Sequence, residues 1–194
     1  MVAPGPIGLY DASVRLTLDT HCLTDLENRT GQAAAIWELI TLHRAGQIQL
    51  FVSAISPAET APGTVAPEND RQLEDRLEAL GINDLPSVLP TGRNEMSFWG
   101  AAVYGDDNDG LAEKISRVVH STVDTLFIRQ RTRHVFSDVE GLVAHIRSGH
   151  DIFVTSNEGF LKDSRRQPLL ALGAQDILTP EDALAKVAGR NELE

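Results

Sequence analysis

Asp151-Ile152-Phe153-Val154-Thr155-Ser156-Asn157-Glu158 runs from an aliphatic and aromatic strand signal straight into a polar turn. Just upstream, Ser137-Asp138-Val139-Glu140 is a capping box, a serine with a glutamate three residues on. Val139, Leu142, Val143 and Ile146 follow at the spacing of an amphipathic helix, and Arg147 with Gly149 supplies the stop. The stretch from Asp138 to Asn157 therefore reads as helix, short link, strand, polar tip. A helix antiparallel to the strand that follows it begins at that strand's C-terminal edge. Asp138 and Asn157 are accordingly expected at one rim of a sheet.

Working outward, strand and helix signals alternate. Val14, Leu16 and Leu18 alternate with Arg15 and Thr17, a first strand ending at Asp19. Residues 31–45 read as a helix with Ile36, Leu39, Ile40 and His43 inward and Gly46 as its stop, and 48–52 as a buried strand. Ser56-Pro57-Ala58-Glu59 opens a further helix: serine cap, proline at the first helical position, glutamate three residues on. Residues 68–80 have helical periodicity through Leu73, Leu77 and Leu80, ended by Gly81. Prolines, glycines and the run Asp106-Asp107-Asn108-Asp109 make 82–110 a loop or peripheral insertion. That run is no calcium loop, because Gly105 and Ser116 stand where the first and last ligands belong. Residues 111–129 read as another helix, 175–178 as a short strand, and Thr179-Pro180-Glu181-Asp182 as the start of a last helix. Elements of these lengths in this order predict an α/β fold, a mostly parallel sheet covered by helices on both faces. We expect one domain over residues 10–190, with 61–134 as a helical or loop insertion.

Composition bounds what such a domain does. The 194 residues, 42% hydrophobic, suffice for one sizeable core. A single cysteine, Cys22, excludes an internal disulfide framework and fits a reducing compartment. No apolar run approaches the roughly 20 residues a membrane span needs. Residues 1–6 lack the basic start and apolar core of a signal peptide. A soluble cytoplasmic protein without membrane contact is expected. The net charge of −11 argues against a broad duplex-tracking surface. It leaves room for an acidic, cation-compensated nuclease site. Arg129, Arg131 and Arg133, and separately Arg165-Arg166, are local basic spots, each also readable as a solvated surface.

The chemistry follows from topology. In open parallel sheets the site lies beyond the carboxyl ends of the strands. Asp19 ends the first strand, Glu59 begins the helix after the second, Asp138 begins the helix entering the 152–155 strand, and Asn157 follows that strand. Three carboxylates brought together repel one another unless protons or cations neutralise them. Mg²⁺ or Mn²⁺ with oxygen ligands meets that need and can polarise a phosphodiester. Each residue also has a plain role: Glu59 and Asp138 as helix caps, Asn157 as a turn residue. Asp19 alone serves no obvious local purpose. The six histidines show no metal-ligand spacing, and His145 reads as a surface or boundary residue.

Leu18-Asp19-Thr20, Val52-Ser53 leading to Ser56-Pro57-Ala58-Glu59, Asp138 opening a helix, and Phe153-Val154-Thr155-Ser156-Asn157 together resemble the PIN domain. The spacing from Asp138 to Thr155 and Asn157 is similar to that family's aspartate-helix-strand-Thr-x-Asp pattern. Leu172-Gly173 to Leu178-Thr179-Pro180-Glu181 looks like its final strand and helix. The resemblance covers residues 14–60 and 135–188.

What the resemblance implies is a three-layer α/β/α, metal-dependent ribonuclease acting on single-stranded RNA. Asp19 and Asp138 would hold Mg²⁺ or Mn²⁺, and Glu59 would complete the acidic cluster or orient the attacking water. Asn157 departs from the acidic version of the pattern; its carbonyl oxygen can still ligate a metal or hold a water. The family includes toxins of toxin–antitoxin pairs, so an antitoxin protein and a second copy of the chain are the implied protein partners. Two alternatives stay open beside this reading. One is a catalytically silent PIN-like module that binds RNA or protein. The other is a phosphotransferase with Asp19 as nucleophile, although His21 and Cys22 stand where that chemistry wants a second acid. A nucleotide-binding Rossmann protein fits less well, since no glycine-rich loop follows the first strand.

Overall fold

The structure, a computed structural model, describes residues 13–53, 70–88, 110–119 and 139–191. Strand β1 (Arg15–Leu18) leads through helices α1 (Thr20–Asn28) and α2 (Ala33–Arg44) to β2 (Gln49–Ser53). Helix α3 (Asp70–Ala79) precedes β3 (Ser87–Val88), and α4 is Leu111–Val119. Helix α5 spans 139–147 and enters β4 (Ile152–Val154). Then come α6 (Glu158–Leu161), α7 (Asp163–Ala171), β5 (Ile177–Leu178) and α8 (Pro180–Asn191).

All neighbouring strands pair in parallel, in the order β3-β2-β1-β4-β5. The fold is thus α/β with a five-stranded, all-parallel sheet. Leu18 stands opposite Val52 on one side and Val154 on the other, which aligns the C-terminal ends of the three central strands.

Alternation along the strands explains the two cores. Leu16, Leu18, Leu50, Val52, Ile152 and Val154 share a buried cluster with Leu23, Ile36, Leu39, Ile40, Leu77 and Val187, from α1, α2, α3 and α8. Phe153 and Ile177 point the other way, into a cluster with Ile115, Leu142, Phe160 and Leu169, from α4 to α7. Each such buried side chain contributes about 1.5–3 kcal/mol relative to exposure. Among the described residues no helix is long and apolar enough to cross a membrane.

Helix ends follow local chemistry. Thr179 Oγ1 accepts from the Asp182 amide at 3.1 Å and donates to Asp182 Oδ2 at 2.8 Å, a reciprocal cap for α8. Gly149, with φ of 63°, turns the chain after α5 as only glycine does without strain. Helix α1 instead closes on Arg29 at φ 52°, whose amide reaches the Asp25 and Leu26 carbonyls.

Residues 87–88, within the span read as loop, form β3 at the sheet edge. The caps expected at residues 56–59 and 137–138, the acidic run 106–109, the C-terminal part of the helix expected over 111–129 and the basic spot at 129–133 lie outside the described residues.

Candidate metal centre at the sheet rim

The connections leaving β1 reach β2 on one side, and the chain later returns to β4 on the other. Where connections diverge like this, an open parallel sheet leaves a crevice beyond its carboxyl edge. Asp19 follows β1 and Thr155 follows β4, so the two flank that point. The ladder extends past the strands: the Asp19 amide donates to the Val154 carbonyl, and the Thr155 amide to the Leu178 carbonyl, both at 2.9 Å.

Asp19 is 1% exposed. Its Oδ1 accepts from the Thr20 amide at 2.8 Å, and its Oδ2 accepts from the Thr155 hydroxyl at 2.6 Å. A short hydroxyl-to-carboxylate bond is of the stronger, charge-assisted kind. Thr155 Oγ1 in turn accepts from the Asn157 amide at 3.0 Å. One hydroxyl therefore ties the carboxylate of the first strand to the turn after the fourth. Sequence reading quoted Thr155 only as part of a pattern; the signal available was a hydroxyl two residues before the site asparagine.

Asp19 does have a local purpose, contrary to expectation. It is the N-cap of α1, extended at φ −70° and ψ 158°, with its side chain on the first helical amide. Asn157 is likewise the N-cap of α6, its Oδ1 accepting from the Gly159 amide at 2.8 Å. A Cβ at position 159 would sit 2.8 Å from that oxygen, so a side chain there would displace the asparagine. An amide oxygen has two lone pairs, so capping does not exhaust Asn157.

Ser53 completes the rim from the other side. It follows Val52, which stands opposite Leu18, and so lies beside Asp19 on the same face of the sheet. It is 2% exposed, and its hydroxyl has no hydrogen-bond partner. A buried unsatisfied hydroxyl costs about 1–3 kcal/mol. His21, on the first turn of α1, brings Nδ1 to 3.3 Å from Asp19 Oδ2, with 38% of its side chain exposed. Cys22 is fully buried, and burial, then the Asp19 and Asp25 carboxylates, push its thiol well up. It is a packing residue, since the thiolate is the reactive form.

The described residues thus bring Asp19, Thr155 and the Asn157 turn together. Glu59 and Asp138 lie outside them. Among the described residues no group of three or more His, Cys, Asp or Glu is assembled to hold a metal. The second basic spot is structural in its Arg166 half: Nη2 bonds Asp176 Oδ1 at 2.5 Å and Nε bonds the Ile177 carbonyl at 2.8 Å, tying α7 to β5. Arg165 Nη1 lies 3.4 Å from the Gly159 carbonyl, behind the Asn157 turn.

One layer below the rim sits a second polar cluster. His145, read from the sequence as a surface or boundary residue, is fully buried. Helical periodicity places it beside the apolar stripe, and packing on Phe153, with ring centroids 5.4 Å apart, draws it in. Thr17 Oγ1 lies 2.9 Å from Nδ1 of His145 and 2.9 Å from Nδ1 of His150. A hydroxyl has one proton, so it donates to one ring and accepts from the other. His145 Nε2 has no partner, which favours a bare lone pair there and the proton on its Nδ1. Thr17 then donates to His150.

A scan against protein-family models matches none, and no curated protein is found similar to the chain.

Proposed function

We propose that this chain is a PIN-like ribonuclease of three-layer α/β/α build that cleaves single-stranded RNA with Mg²⁺ or Mn²⁺. The observation that carries the reading is the buried Asp19 carboxylate at the switch point of a parallel sheet, beside a buried Ser53 hydroxyl that has no partner. The donor set suits such an ion: carboxylate, hydroxyl and amide oxygens are what hard divalent cations prefer. Asp19 would hold the metal, with Asp138 and Glu59 assigned to the same cluster by the family resemblance. Asn157 offers its second lone pair. Bound there, the ion would lower the pKa of an attacking water and stabilise charge on the phosphodiester. Thr155 fixes the carboxylate's rotamer through its 2.6 Å bond, and Ser53 offers a hydroxyl donor to a phosphate oxygen or water at the rim. Within this reading the partners are single-stranded RNA and, for a toxin, an antitoxin protein and a second copy of the chain in the cytoplasm.

The test is cleavage of end-labelled single-stranded RNA by the purified protein. Cleavage is expected with Mg²⁺ or Mn²⁺ and absent with EDTA. Asp19→Asn and Asp138→Asn should each abolish it without changing the far-UV spectrum. Full activity in both variants would overturn the assignment. The neutral Asn157, with its oxygen already capping α6, favours a second reading, a catalytically silent RNA-binding module. Metal-independent RNA binding without cleavage would identify it.

A further inference from the structure

We infer that His21 is a nitrogen ligand of the same ion as Asp19, so that the site takes borderline transition cations, Mn²⁺ or Co²⁺, in preference to Mg²⁺. This rests on the metal-site reading above and goes beyond it in the identity of the ligand and of the cation. Two donors each about 2.1 Å from one ion lie about 3.0 Å apart at a right angle and about 3.4 Å apart at a tetrahedral angle. Nδ1 of His21 and Oδ2 of Asp19 are 3.3 Å apart, inside that interval before any ion arrives.

The carboxylate can take the ion without losing its supports. Oδ1 uses one acceptor position on the Thr20 amide and Oδ2 one on the Thr155 hydroxyl, so each oxygen keeps a lone pair. The His21 ring is set by the first turn of a nine-residue helix whose cap is Asp19 itself, which fixes both donors on one rigid element. Preorganisation of this kind is what a selective metal site requires.

Exposure assigns the roles. The Asp19 side chain is 2% exposed and that of His21 38%, so the imidazole stands between the carboxylate and solvent. Ser53, buried with its hydroxyl unpartnered on the same face, is the independent sign that the rim is built around something. An oxygen-only set suits Mg²⁺, whereas imidazole raises affinity for later first-row ions without helping magnesium.

The experiment is calorimetric titration of MgCl₂, MnCl₂ and CoCl₂ into the full chain, its His21→Ala and His21→Asn variants, and Asp19→Asn. Wild type should bind Mn²⁺ and Co²⁺ about tenfold or more tighter than Mg²⁺. His21→Ala should lose most of that preference while its Mg²⁺ affinity stays within about twofold. His21→Asn, with an oxygen in place of nitrogen, should bind Mg²⁺ and show no preference for Co²⁺. A His21→Ala protein with the wild-type Co²⁺ to Mg²⁺ affinity ratio overturns the inference while leaving the metal site standing. An equal fall for all three ions reduces His21 to a support for Asp19 and also overturns it. No binding of any ion to wild type would sink the metal-site reading and this inference together.

Discussion

Acid should weaken this fold through one buried ring. His145 is fully buried, with Nε2 unpartnered and Nδ1 on Thr17. Protonation would create a buried N–H with no acceptor, in a cation surrounded by Phe153 and a second imidazole. Burial first, and then the neighbouring His150, push its pKa from 6.5 down to about 3. The sign follows directly. The unfolded ring binds a proton below 6.5 and the folded ring does not until about 3, so stability is full above 6.5 and falls with pH between those limits. Each unit of that window is worth about 1.4 kcal/mol. At pH 5 the loss from His145 alone is therefore about 2 kcal/mol, a sizeable share of a typical total of roughly 5–15 kcal/mol.

His150 works in the same direction. Burial and Arg15 lower its pKa, partly opposed by Asp151. Urea unfolding at pH 7.5, 6 and 5 isolates the His145 share when wild type is compared with His145→Asn, whose amide can still donate to Thr17. The variant starts lower, because the smaller side chain leaves a cavity. Its stability should nevertheless fall less with pH, by about 2 kcal/mol over that range, or about 1 M in urea midpoint. Parallel pH profiles for the two proteins would refute the argument that the ring is held neutral.

Other substitutions separate structural from functional roles at the rim. Thr155→Val removes the hydroxyl that holds Asp19 and should cost about 1.5–3 kcal/mol in chemical denaturation together with most of the cleavage activity. Asn157→Ala removes the α6 cap and should cost about 0.5–2 kcal/mol, whereas Asn157→Asp keeps the cap and should tighten Mn²⁺ binding by calorimetry. Equal metal affinity in wild type and Asn157→Asp would put residue 157 outside the site. Ser53→Ala deletes a hydroxyl with no partner, so thermal melts should show unchanged or higher stability while RNA cleavage falls. A stability loss with intact cleavage would mean that Ser53 only packs.

Much of this architecture is local and could be read directly from the chain. The alternation of Leu16, Thr17 and Leu18, the Thr179–Asp182 cap and the stop at Gly149 depend on residues within one turn or one strand, so periodicity and side-chain reach suffice to identify them. Strand β3 has two residues and becomes a strand only by pairing with β2. Helix α7 carries Pro168 in its interior, which masks it locally. The site divides the same way. The chain placed Asp19 and Asn157 after strand signals, but their capping bonds, and the Thr155 hydroxyl that joins Asp19 across 136 residues, arise from the order in which the strands assemble. His145 makes the point most plainly: its periodicity allows either side of a boundary, and only the packing of α5 over Phe153 and Thr17 puts it inside. A sequence carries local preferences that act over a few residues. Contacts between segments more than a hundred residues apart depend on which faces pack together, and that is decided by the folded whole.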